Sequence, residues 1–151
     1  MLRQAFRDRL TEAMKAKDPR AVSTVRLILA ALKDRDVAAR GDGNLDGISE
    51  AEILRMLQAM IKQRRESIAL YQQGNRADLA QRENDEIAVI ESFLPRQLDD
   101  AEIEAAAAAA IGEIGASSVK DLGKVMAALR ERYAGAIDLG RAGPIVRRLL
   151  G

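Results

Sequence analysis

The sequence predicts an all-α fold, with an N-terminal helical hairpin domain over residues 1–96 and a smaller C-terminal helical domain over 97–151. Two observations carry that expectation. Aromatics make up 3% of the 151 residues, prolines number 3, and much of the 48% hydrophobic fraction is alanine, which favours helices packed on small side chains over a sheet. Apolar residues also recur three and four apart along most of the chain, between polar caps and glycine or proline stops.

The elements follow in order. Leu2, Phe6, Leu10, Ala13 and Met14 share one face of a helix from about Leu2 to Ala16. Asp18 as N-cap and Pro19 in the first turn open a second helix, striped by Val22, Val25, Ile28, Leu29 and Leu32 and running to about Ala39. Gly41 to Gly47 is a loop by composition, expected to be a flexible turn, and Ser49 with Glu52 forms a capping box for a long third helix. That helix should bury Ile53, Leu57, Met60, Ile61, Ile68 and Tyr71. A break at Gly74-Asn75 leads to a fourth helix, striped by Leu79, Ile87, Ile90 and Leu94 and ended by Pro95, antiparallel to the third.

Beyond Pro95 the character changes, and the domain boundary is expected between Pro95 and Asp99. Asp99 and Glu102 cap a helix through the run Ala105 to Ala110, which Gly115 stops. Two more helices are expected, one from Ser118 to Arg132 and a last one ending near Leu150. Gly140, Gly143 and Pro144 weaken the start of the last, and Pro144 suits its first turn. Gly112 and Gly123 lie within helical patterns, where a close helix crossing would offset the cost of glycine.

Several function classes are excluded by what the chain lacks. It contains neither histidine nor cysteine, which removes imidazole bases, thiolate nucleophiles and the usual zinc sites. Asp42, Asn44, Asp46 and Gly47 match the opening of a calcium-binding EF-hand loop, but Ile53 would occupy the final ligand position and cannot coordinate. No metal, cofactor or catalytic residue is therefore expected. No run approaches the apolar length of a membrane span, and Asp8 and Glu12 in the first helix argue against a secretory signal or an organelle presequence; a cytoplasmic protein is expected.

Net charge is +1, unevenly placed: residues 1–41 carry ten Lys/Arg against five Asp/Glu, and residues 77–104 two against nine. On a helix turning about 100° per residue, Arg64 falls within the apolar stripe of the third helix and Glu83 within that of the fourth, with Glu86 at its edge. Antiparallel pairing brings them together, predicting a buried structural ion pair of Arg64 with Glu83 or Glu86. An acid/base site is the alternative, but a carboxylate that holds an arginine is poorly suited to moving a proton. Arg55, Lys62 and Arg65 project from the opposite face of the third helix, as a solvated face or a phosphate contact. A second basic set, Lys120, Lys124, Arg130, Arg132, Arg141, Arg147 and Arg148, faces four acids between Ala105 and Gly151 and suits a phosphate backbone. Base stacking is disfavoured, since Phe6 and Tyr71 sit in apolar stripes, Phe93 lies beside a helix end, and only Tyr133 is placed to be free.

Spaced motifs then agree in order: Lys62-Gln63-Arg64-Arg65-Glu66-Ser67; Gly74, Arg76, Asp78 and Leu79; Glu83, Glu86, Ile87, Leu94 and Pro95; Gln97, Leu98 and Glu102; Gly115-Ala116-Ser117-Ser118, Asp121 and Gly123-Lys124-Val125-Met126. By these the chain resembles the GatB/YqeY family, small helical proteins similar to the C-terminal tail of the tRNA-dependent amidotransferase B subunit, which helps that enzyme hold the elbow of its tRNA. The resemblance implies the two-domain helical architecture and a tRNA-binding or amidotransferase-accessory module, non-catalytic alone. Its candidate phosphate contacts are Lys120, Lys124, Arg147, Arg148, Arg55, Lys62 and Arg65. The alternatives are a protein-interaction adaptor docking on an enzyme partner, and a glutamine-dependent carbon–nitrogen ligase using Glu83 or Glu86. Relative to the family, the Gly41 to Gly47 loop is long and glycine-rich, and Gly140 to Pro144 interrupts the last helix.

Overall fold

A computed structural model describes all residues, Met1 to Gly151. It is all-α, as the composition predicts, with seven α-helices and no strand. The chain divides into two compact units, Met1–Leu94 and Pro95–Gly151.

The first unit holds α1 (Leu2–Lys15), α2 (Pro19–Gly41), α3 (Glu50–Gln73) and α4 (Ala77–Glu91). The α3–α4 hairpin packs on α2, and α1 pairs with α2. Asp18 caps α2 by accepting from the Ala21 N–H at 3.1 Å, and Ser49 caps α3 by accepting from the Glu52 N–H at 3.2 Å. Phe6, Val25, Ile28, Ile53, Met56, Leu57 and Ile90 are fully enclosed, and the Phe6 and Phe93 rings meet edge to face with centroids 4.8 Å apart. Such a pair adds about 1 kcal/mol beyond its area burial. Two stripe assignments change. Met14 is 53% exposed, because the chain turns back directly after α1, the Asp18 N–H donating to the Ala13 carbonyl at 3.0 Å, and the close approach there accepts only the small Ala13. Met56 is buried, whereas Met60, Ile68 and Tyr71 are half-buried. In the α3–α4 turn, Asn75 rather than Gly74 takes the left-handed conformation, φ 58°.

The second unit is a three-helix bundle of α5 (Asp100–Ile114), α6 (Leu122–Arg132) and α7 (Leu139–Leu150), each packed on the other two. Asp99 and Glu102 complete a reciprocal capping box on α5, and Gly115 ends it at φ 73°. The core comprises Ile103, Ala107, Ala110, Val125, Leu129, Ala142 and Val146, so the alanines let the helices approach closely. The segment expected as one helix from Ser118 is a 3-10 turn, Val119–Asp121, capped by Ser118, whose Oγ accepts from the Lys120 N–H at 3.3 Å, and followed by α6.

Three further expectations are corrected here. The last helix starts at Leu139 under an Asp138 cap, and Pro144 sits inside it. Pro144 removes one donor, to the Gly140 carbonyl, and burial of Ala142, Val146 and Leu150 on the core side holds the helix through that loss. Gly112 and Gly123 face open space, with no atom within 4 Å of a Cβ built there, so no close crossing explains them. They lie in the last turn of α5 and the first of α6, where a poor helix former costs least. Tyr133 is not free: it is half-buried and packs against the C-terminal core.

Candidate functional site

Arg64, Glu83 and Glu86 come together across the α3–α4 hairpin. Arg64 Nε lies 2.8 Å from Glu86 Oε2 and 3.9 Å from Glu83 Oε2, and Nη1 donates to the Met60 carbonyl at 3.2 Å. Their side chains are 12%, 19% and 14% exposed for Arg64, Glu83 and Glu86 respectively, sheltered from solvent by the packed hairpin. The arrangement orients an arginine on two carboxylates. Nearer the hairpin turn, Arg76 grips Asp78 with two hydrogen bonds, 3.2 and 3.1 Å, and this guanidinium holds the Asp78 carboxyl below its ordinary value.

A second buried charge, which the stripe analysis did not single out, lies on α2: Asp36 is 6% exposed. It accepts from Arg3 Nη1 at 2.5 Å, from Arg3 Nη2 at 2.9 Å and from the Ile48 N–H at 2.9 Å, while Arg3 Nη2 also donates to the Ile48 carbonyl at 2.9 Å. The Arg3 bond, aided by the Ile48 amide, outweighs burial and holds the Asp36 carboxyl at about 2. Gly47 turns at φ 82° directly over this carboxylate, and a Cβ there would stand 2.3 Å from Asp36 Oδ1. The end of the Gly41 to Gly47 loop is therefore tied down, a correction to the expected flexible turn. The sequence does carry a signal for it: Asp36 continues the Ile28, Leu32 stripe at four-residue steps. No group of three or more acidic residues is gathered anywhere that would hold a metal ion.

The basic residues divide by partner. In the second unit Arg148 pairs with Glu104 at 3.1 Å, Arg141 with Asp100 at 3.6 Å, and Arg132 with Glu113, each linking α5 to a neighbouring helix. Lys120, Lys124, Arg130 and Arg147 are exposed and have no carboxylate partner. Local structure fixes the first two: Gly115 reverses the chain, Asp121 Oδ2 accepts from the Ser117 N–H at 3.1 Å, and α6 then carries Lys124 one turn beyond Lys120. On α3, Arg55 and Lys62 are exposed and unpaired, but Arg65 reaches Glu91 on α4 at 3.3 Å. Arg65 lies about 100° round from Arg64, at the margin of the α4 contact, so the expected trio is not one solvated face.

These features define a small two-unit helical protein whose polar side chains are arranged as ion pairs and as exposed, unpaired cations. The sequence matches the family described as YqeY-like protein over residues 3–150, and the chain belongs to that family. It is similar to the altered inheritance of mitochondria protein 41, mitochondrial, of Lachancea thermotolerans, 33% identical over 98 residues, 64% of this chain and 50% of that protein. The protein of the same name from Eremothecium gossypii is 37% identical over 85 residues, 56% of this chain and 44% of that one. The chain spans about half the length of the curated relatives it matches. No helix is long and apolar enough to cross a membrane.

Proposed function

We propose that the protein is a non-catalytic tRNA-binding or amidotransferase-accessory module whose C-terminal unit contacts phosphates through Lys120, Lys124 and Arg147. The observation that carries this reading is the partition of cations in that unit. Three arginines are engaged by α5 carboxylates, while Lys120, Lys124, Arg130 and Arg147 stand exposed without one. Unpaired surface cations release counterions when they meet a polyanion; a cation already neutralised contributes less. The likeness of the family to the amidotransferase tail supports tRNA as that polyanion. Arg148 is a weaker contact than its neighbour because it must first leave Glu104. Arg64, Glu83 and Glu86 serve as a structural clamp, and Arg55 and Lys62 as secondary contacts. Under this reading the protein works in the cytoplasm, whereas the fungal relatives are mitochondrial by name.

The test is binding to unfractionated tRNA across a salt series. Lys120→Ala/Lys124→Ala should weaken binding and flatten the salt slope by about two. Arg147→Ala should weaken it more than Arg148→Ala. No binding at low salt would sink direct tRNA recognition by this chain. The adaptor reading is favoured by one observation: Ile114 and Val119, flanking the Gly115 to Ser118 turn, are 37% and 47% exposed. It requires salt-insensitive capture of an enzyme partner, reduced by Ile114→Ser/Val119→Ser.

A further inference from the structure

The N-terminal unit carries its own ordered row of cations. Arg26, Lys33 and Arg40 are seven residues apart on α2 and all exposed. A heptad drifts only about 20° on a straight helix, so the three form one line with steps of about 10 Å. The only acid three or four positions away from any of them, where helical side chains meet, is Asp36, which is buried, bonded to Arg3 and the Ile48 amide, and also attracted by Arg40; Asp34 and Asp42 are nearer in sequence but form no ion pair with the row. Arg40 uses Nε on the Leu45 carbonyl at 3.4 Å; Arg26 and Lys33 make no polar side-chain contact. Of the ten Lys/Arg in residues 1–41, Arg3 alone forms a salt bridge, while Arg40 acts on Asp36 only through space.

We propose that this row is a second RNA contact, tracking the phosphate backbone along α2 independently of Lys120 and Lys124. A small anion does not fit, since one phosphate cannot span steps of about 10 Å, whereas a chain of phosphates meets successive cations. A membrane surface does not fit either. An interfacial helix presents a continuous stripe of large apolar residues, and between Arg26 and Arg40 only Leu27 and Val37, ten residues apart, are large and exposed, at 46% and 56%. The choice of RNA over another polyanion rests on the tRNA-facing reading above; the row itself does not.

The experiment measures affinity of the full chain for unfractionated tRNA as salt is raised, with poly-glutamate as a second probe. Arg26→Ala/Lys33→Ala is compared with the charge-retaining Arg26→Lys/Lys33→Arg and with Lys120→Ala/Lys124→Ala, each checked for helicity. The proposal expects the salt slope to fall by about two in the first variant and to be kept in the second. An unchanged slope in Arg26→Ala/Lys33→Ala overturns it, and if Lys120→Ala/Lys124→Ala still loses affinity the C-terminal reading stands. Loss in the α2 variant alone supports the row and removes the C-terminal surface. Absence of wild-type binding to tRNA overturns both, and equal affinity for poly-glutamate, lost in the same α2 variant, reassigns the row to an acidic protein.

Discussion

Asp36 shows what one buried charge does for the N-terminal unit. Its carboxylate holds the start of α1 through Arg3 and the approach to α3 through Ile48, so three separated stretches of chain meet on one side chain. Asp36→Ala leaves Arg3 and the Ile48 amide without their acceptor and should cost about 2–4 kcal/mol in urea unfolding. Because the folded carboxyl titrates at about 2 and the unfolded one near 3.8, its contribution is complete above 3.8 and lost as pH falls through about 2. Wild type should therefore lose more stability than Asp36→Asn between pH 4 and pH 2, and identical slopes would contradict the assignment. Gly47→Ala combines a positive φ with a Cβ 2.3 Å from Asp36 Oδ1 and should cost at least about 2 kcal/mol by the same measurement.

Individual helices contain residues that local propensity disfavours, and each gives a test. Pro144 forfeits one hydrogen bond inside α7 and its side chain is exposed, so Pro144→Ala should raise the melting temperature by restoring the bond to the Gly140 carbonyl. A fall would mean that the proline ring supports the helix start in a way the packing does not show. Gly112 faces open space near the end of α5, and Gly112→Ala should stabilise by about 0.5 kcal/mol. Caps, stripes and stops were legible in the sequence because each depends on residues within about one turn of one another. The 3-10 start before α6 and the escape of Met14 were not, since both depend on how the chain is held beyond the helix.

At the scale of the molecule, each unit closes a core built only from its own residues, one around Phe6, Ile28, Ile53 and Ile90, the other around Ile103, Val125 and Val146. We expect the segment 1–96, made alone, to remain helical and to unfold cooperatively; a non-cooperative melt would show that it depends on the rest of the chain. The Arg64, Glu83 and Glu86 cluster is legible in the amino-acid sequence, because helical periodicity places side chains on faces and an antiparallel hairpin sets which faces meet. Which surface cations stand free is not legible there. Arg148 and Arg147 are neighbours of the same type, yet Arg148 has Glu104 within reach and Arg147 has no carboxylate partner. By itself the sequence determined the helical class, the stripes and the family, all properties of short-range order along the chain. Only the tertiary structure decided the ion-pair partners, the anchoring of the glycine loop on Asp36 and the set of unpaired cations, because those depend on distances between residues far apart in sequence.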